Sequence, residues 1–171
     1  MARSDTSKGC GEGAIAFAPH DHARCRRAAI EDARARCAAA GLRLTPVRER
    51  VLEILLESHA ALGAYDVLRR LTDEGAVPQP PIAYRALDFL VAHGFAHRIE
   101  KLNAYVACTA SAETHDPVFM ICRDCKAVAE LPSAPVARDL EREAERIGFD
   151  IGRTVVEAEG LCPGCRAESA S

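Results

Sequence analysis

Eight cysteines stand in this chain of 171 residues, and four of them form two matched pairs, Cys122-Arg-Asp-Cys125 and Cys162-Pro-Gly-Cys165. Each pair has the Cys-x-x-Cys spacing that lets two sulfurs of one tight turn reach the same metal ion. Two such pairs complete a tetrahedral four-thiolate shell, the closed coordination of structural zinc. The segment between the pairs is longer than in a small zinc ribbon, so it must leave the metal as a folded element and return to it. Redox motifs or disulfides are the competing chemistry. The opening Met1-Ala2-Arg3-Ser4-Asp5 is polar rather than a signal peptide, which favours a reducing compartment and metal-bound thiolates. A second group, His20-Asp21-His22 with Cys25, has metal-ligand types near the start of the chain, and Cys10 precedes it without an assigned role. Lone His and Cys in such a place are more often simply solvated.

Composition narrows the class. No apolar run approaches a membrane span. Trp is absent and aromatics make up 5 %, so Leu, Val, Ile and Ala must build the core. Net charge is -3, but residues 1–94 carry +1 and residues 95–171 carry -4, with eight arginines between Arg24 and Arg50. An arginine-rich first half followed by an acidic second half suggests a division of labour.

The elements that position these groups follow from periodicity and punctuation. Residues 1–19, rich in Gly, Ala and Ser, read as a mobile segment. Asp21 to Ala40, with neither Gly nor Pro, reads as a helix that turns Ile30, Ala33 and Cys37 inward, making Cys37 a core thiol. Thr45-Pro46 is an N-cap followed by a proline suited to the first helical turn, and Val47, Val51, Ile54 and Leu55 form the stripe. His59 to Gly63 is a turn. A third helix runs from Ala64 to about Glu74 with Tyr65, Leu68 and Leu71 inward. A fourth runs from Ile82 to His93, burying Ala83, Ala86, Leu87 and Leu90 while Arg85 projects from the far side and Tyr84 lies on the flank. Two strands, Phe95 to Ile99 and Ala104 to Ala107, flank the turn Lys101-Leu102-Asn103. Helices ending in a small hairpin describe a winged helix-turn-helix, whose late helix enters the DNA major groove. After a linker at Thr109 to Thr114, strands Val118 to Ile121 and Ala127 to Leu131 surround the first cysteine turn. Ser133 caps a helix through Ile147 with Val136, Leu140, Ala144 and Ile147 on one stripe. A third strand, Phe149 to Glu159, leads to the second cysteine turn, and Arg166 to Ser171 is a polar tail. The expected fold is therefore α+β: an N-terminal winged helix-turn-helix domain (20–107), a hinge (108–117) and a small α/β domain clamped by four cysteines (118–166), with 167–171 as tail.

The combined residues resemble a known family. Pro80-Pro81-Ile82-Ala83-Tyr84-Arg85-Ala86-Leu87-Asp88-Phe89-Leu90, then Gly94-Phe95-Ala96-His97, then His115, the two cysteine pairs and Gly160-Leu161-Cys162 are similar to the ferric uptake regulator (Fur) family, most closely its zinc-sensing branch. Arg43-Leu44-Thr45-Pro46 and Arg48 match the family's second helix start, and the resemblance covers about residues 24–166. It implies a DNA-binding first domain and a second domain that dimerises and senses metal. It implies that Cys122, Cys125, Cys162 and Cys165 hold structural zinc and that His97, Cys108, His115 and Glu130 form an inter-domain sensor site, about two Zn2+ per subunit. It implies that Tyr84 and Arg85 read bases. Two departures stand out: Ile82 where the family usually has Thr, and a His-rich tract reduced to His115-Asp116, which speaks against a third, iron-type site.

Two imidazoles, a thiolate and a carboxylate balance a divalent charge, and a thiolate ligand favours zinc over iron or manganese. The expectation is a cytoplasmic homodimer, a zinc-dependent repressor of zinc-uptake genes that binds palindromic double-stranded operators, with arginines of the first two helices, Arg43 and Arg48 among them, on phosphates. It is expected to have no membrane partner, no small-molecule substrate and no catalytic residues. Within the family the alternative is a sensor of iron, manganese or peroxide, against which Cys108 argues. From another class comes a zinc hydrolase or deaminase, which needs an open coordination position and a His-x-Glu that this sequence lacks. A zinc-ribbon module without sensing would leave His97 and Glu130 far apart.

Overall fold

A computed structural model describes residues 15–17, 21–73, 75, 80–108 and 117–169. Cys10, His20, His115 and the linker at Thr109 to Thr114 lie outside the described residues. Within the segment expected to be mobile, Ile15–Phe17 form a turn of 3-10 helix.

The first half is built from four helices and a hairpin. Helix α1 (His22–Ala39) is capped by Asp21, whose Oδ1 accepts from the Arg24 amide at 3.0 Å, and buries Ala33 and Cys37. Burial pushes the Cys37 thiol up from its ordinary pKa. Helix α2 (Pro46–Leu55) starts at Thr45, whose Oγ1 accepts from the Arg48 amide at 3.4 Å, and buries Val51, Leu52, Ile54 and Leu55. Residues 59–63, expected as a turn, include strand β1 (Leu62–Gly63). Helix α3 (Ala64–Asp73) buries Val67 and Leu71. Tyr65, expected inward, is instead 78 % exposed. The buried pair defines one stripe, and Tyr65 lies about 200° of helical rotation from Val67, on the opposite side. Helix α4 (Pro80–Ala92) buries the expected arc of Ala83, Ala86, Leu87 and Leu90. Gly94, at φ +69°, then turns the chain into the hairpin of β2 (Ala96–Ile99) and β3 (Ala104–Ala107). The sheet order is β1-β3-β2, all antiparallel.

The second half is a three-stranded sheet of order β5-β4-β6, made of β4 (Val118–Cys122), β5 (Val128–Leu131) and β6 (Val156–Gly160). β5 is antiparallel to β4, and β6 returns parallel to it through α5 (Ala134–Ile147). The expected third strand was longer; β6 pairs only with the five residues of β4, and its length is set by that partner. Ser133 sits at the N-cap of α5 in a helical conformation, and its side chain makes no capping bond. Of the predicted stripe on α5 only Ala144 is buried, while Ile147 and the following Phe149 are 67 % and 63 % exposed. The expected polar tail begins instead as a short helix, α6 (Pro163–Glu168).

Alternation of side chains along the hairpin gives it two buried faces. Ala96, Tyr105 and Ala107 face the helices and join their core. Ile99 and Val106 face the other way and pack with Phe119, Ile121 and Val128 of the second sheet. The two halves are also stitched by backbone: Val128 N–H donates to the His59 carbonyl at 2.9 Å, and Ala61 N–H to Lys126 at 3.1 Å.

Helices α1 and α2 are pinned by Arg34 and Glu49, whose side chains pair in a bidentate contact with one arm at 3.0 Å. The hydrogen bonds from Arg34 hold the Glu49 carboxyl below its ordinary value of 4.5. A depressed carboxyl stabilises the fold above its unfolded pKa and loses that effect as pH falls through the folded one. Glu49→Gln should therefore lower the urea midpoint slightly at neutral pH, and the gap to wild type should close in acid.

Candidate metal centres

The four paired cysteines converge. Their sulfurs all lie within 4.8 Å of one another, and Cys125 Sγ and Cys162 Sγ are 3.8 Å apart. A regular tetrahedron with zinc–sulfur bonds of about 2.3 Å has edges of about 3.8 Å. Cys122 ends β4 and is buried; Cys125 follows in a knuckle closed by the Lys126 amide donating to the Cys122 carbonyl at 3.1 Å, with Lys126 at φ +60°. Arg123 N–H donates to Gly160 O at 2.8 Å and ties this knuckle to the end of β6. Cys162 is the N-cap of α6, with Pro163 in the first helical turn. Its sulfur accepts from the Cys165 amide at 3.5 Å, while its own amide donates to Cys122 Sγ at 3.4 Å.

These bonds sort the sulfurs by charge. The amide of Cys162 draws the Cys122 thiol down to about 6. Hydrogen bonds with Cys162 and Cys125 push Cys165 up to about 12, and burial raises Cys125. Four sulfurs so close cannot all ionise by themselves, because each thiolate repels the next. A divalent soft cation resolves that conflict, so the donor set fits zinc.

A second group spans the two sheets. His97 on β2, Cys108 just past β3 and Glu130 on β5 bring their ligand atoms within 4.8 Å of one another. His97 Nε2 is 3.3 Å, and Cys108 Sγ 3.8 Å, from Glu130 Oε1. Donors on one tetrahedral zinc are separated by about 3.3–3.8 Å. Strand alternation explains the convergence: His97 and Cys108 share the hairpin face of Ile99 and Val106, which is the face pressed on the second sheet. The Cys108 amide, donating to the Phe95 carbonyl at 3.0 Å, fixes where the chain leaves the hairpin. The His97 ring lies 5.3 Å from that of Phe119, and only 16 % of the His97 and 8 % of the Glu130 side chain is exposed. His115, the fourth expected donor, lies outside the described residues.

The His20-Asp21-His22 and Cys25 group does not gather three donors among the described residues. His22 packs edge-on against His59 at 5.0 Å between centroids, with its Nε2 3.1 Å from the Glu57 carbonyl.

The nucleic-acid candidates separate. Tyr84 and Arg85 are exposed on α4, beside exposed Ile82 and Asp88. Arg85 makes no hydrogen bond or ion pair among the described residues. Arg43 is exposed, whereas Arg48 donates to the Arg43 carbonyl at 2.6 Å and lies 3.7 Å over the Phe89 ring, bracing α2 against α4. Exposed Tyr65 was missed as a surface candidate; the sequence signal against its burial was its displacement from Val67 and Leu71.

Removing one sulfur should leave a shell that cannot close. Cys122→Ser or Cys165→Ser should lose one zinc per chain and a cooperative melt, read by metal analysis and circular dichroism. A variant that keeps wild-type zinc content and melting would remove the four cysteines from that role.

A model of the ferric uptake regulator family matches residues 39–158. The zinc uptake regulation protein of Escherichia coli (strain K12) is 39 % identical over 130 residues, which span 75 % of this chain and 76 % of that protein. Among solved structures, a zinc uptake regulator complexed with zinc and DNA superposes with TM-score 0.80 at 36 % identity, covering 85 % of this chain and 98 % of that one. XcZur superposes in its holo form with TM-score 0.71 at 37 % identity (86 % and 99 % covered) and in its apo form with 0.50 at 35 % (84 % and 99 %). The chain is a member of the ferric uptake regulator family.

Proposed function

We propose that this chain is a zinc-responsive transcriptional repressor, cytoplasmic and without enzymatic activity, that binds palindromic operator DNA as a homodimer when zinc-loaded and controls zinc uptake. The observation that carries the reading is the meeting of His97, Cys108 and Glu130 at one point, because these residues come from opposite sides of the contact between the two halves. The relatives support it: one is a zinc uptake regulation protein, and one structural neighbour holds zinc and DNA. The higher likeness to holo than to apo XcZur, at nearly equal identity, supports reading this arrangement as the zinc-loaded one.

In this reading residues 20–107 bind DNA, 108–117 are the hinge, and 118–166 dimerise and bind metal. Each subunit carries about two zinc ions. Cys122, Cys125, Cys162 and Cys165 hold one permanently, with four soft ligands. His97, Cys108, Glu130 and His115 hold the other in a mixed set that exchanges with the surroundings. Bound zinc supplies a divalent charge that cancels the cost of placing a thiolate and a carboxylate side by side. His97 then anchors the wing and Glu130 the second sheet, and the recognition helices of a dimer keep the spacing of two half-sites. A 100-fold change in DNA affinity asks for about 2.7 kcal/mol of coupling, within the ordinary range of linked sites.

Dimerisation has a surface ready for it. Met120 on the outer face of the second sheet, Val136, Leu140 and Ile147 on α5, and Phe149 are all exposed apolar side chains. The exposed apolar stripe of Val136, Leu140 and Ile147 supports an interaction surface on α5.

A mild chelator should remove about one zinc per chain and leave secondary structure and dimer intact while operator affinity falls. Cys108→Ser should reproduce that state at full zinc, measured by fluorescence anisotropy against buffered free zinc. Operator binding with wild-type zinc dependence in Cys108→Ser would place sensing elsewhere.

On the DNA side, Arg85→Ala should keep the fold, the dimer and both zinc ions but lose about 1–3 kcal/mol of specific binding per contact. Unchanged discrimination between operator and random DNA would remove Arg85 from base reading.

A further inference from the structure

One cross-strand row of the second sheet touches the wing at two places. Phe119 of β4 is the register partner of Glu130 on β5 and of Glu157 on β6. Residues paired across strands lie on the same face. Phe119 packs under the wing in the core shared by both halves. On one side of it Glu130 reaches His97 and Cys108, where the wing begins and ends. On the other side Glu157 reaches the wing tip. Its Oε1 accepts from the Glu100 amide at 2.6 Å and its Oε2 from the Lys101 amide at 2.9 Å.

The tip is shaped to offer these amides. Asn103, at φ +46°, closes a turn in which its amide donates to the Glu100 carbonyl at 3.1 Å and its Oδ1 accepts from Arg98 at 2.8 Å. The amides of Glu100 and Lys101 are then left pointing out of the hairpin, and one carboxylate takes both. Two side-chain pairs flank the contact, Lys101 with Glu159 at 3.3 Å and Arg153 with Glu100 at 3.4 Å. Glu159 is the register partner of Ile121, so it stands one row along on the same face.

We infer that Glu157 is a second clamp on the wing, a positioning residue whose two charge-assisted bonds hold the hairpin tip on the second sheet and are thermodynamically linked to metal binding at the other end of the row. The inference rests on the sensor reading of His97, Cys108 and Glu130. Both clamps require the same placement of the wing, so tightening one favours the other. A carboxylate bonded to two backbone amides is rigid and directional, and it holds the tip in one register where apolar packing alone would allow sliding. Glu157 is not among the grouped donors of either candidate metal centre, so its effect on metal binding must pass through the position of the wing.

Glu157→Gln tests this, because the side chain keeps its size while one acceptor becomes a donor facing an N–H. The variant should remain a folded dimer with the four-cysteine zinc in place. Its affinity for the exchangeable zinc should fall about tenfold, equivalent to about 1.4 kcal/mol. Hydrogen exchange at the Glu100 and Lys101 amides should quicken in the zinc-loaded protein, while exchange in α2 and α4 stays as in wild type. Glu157→Ala should show the same pattern and guards against a local effect of the new amide group. Wild-type zinc affinity together with wild-type exchange at those amides would overturn the inference. Faster exchange with unchanged zinc affinity would overturn the linkage. The same measurements on Cys108→Ser separate the sensor reading from the clamp: that reading fails if Cys108→Ser keeps its exchangeable zinc, whereas the clamp is judged by amide exchange in the Glu157 variants.

Discussion

Strand alternation in one short hairpin decides how the two halves of this protein meet. Every second side chain of β2 and β3 faces the helices, and the others face the second sheet. His97, Ile99, Val106 and Cys108 thus share a surface, with His97 directly across from Val106, Ile99 toward the hairpin tip and Cys108 toward its base. A register slip of one residue would turn the donors into the helical core and the core alanines onto the sheet. The apolar part of this contact is small, with Ile99 and Val106 against Phe119, Ile121 and Val128. Backbone and side-chain hydrogen bonds add to this small core.

Much of this was legible in the sequence, because the signals were local. Two Cys-x-x-Cys turns, Thr45 before Pro46, and the buried arc of α4 each depend on residues a few positions apart, and each appears as read. The readings that failed depended on what lay across from a segment. Tyr65 reads as inward with Leu68 and Leu71, yet Val67 and Leu71 already fill the buried side of α3. The α5 stripe has the right period, but none of the described elements covers most of it. β6 stops where β4 ends, and α6 forms because Cys162 and Pro163 start a helix rather than a tail. Glu157 carried no signal at all: a glutamate among valines and alanines gains its role only from register with Phe119.

The two candidate metal groups differ in how they are framed. Around the four cysteines, backbone amides point at sulfur and the strand ends are tied to one another within a single sheet. Around His97, Cys108 and Glu130, the candidate donors sit on separate sheets and meet where those sheets are in contact. The first frame is local enough to keep its shape whatever the wing does. The second is an intersection of two bodies, and its geometry reports their relative position.

The parallel pairing of β4 with β6 has a consequence for the order in which the chain assembles. Cys125 and Cys162 are 37 positions apart, and the chain must cross over through α5 before the second cysteine turn can arrive. Each turn forms by itself in a few residues, but joining them requires closing a long loop and pairing non-neighbouring strands, the slow kind of event in folding. Newly made chain emerging from the ribosome presents the first turn as a half-formed claw well before its counterpart exists. The four-cysteine frame is therefore complete only once the last strand has joined the sheet.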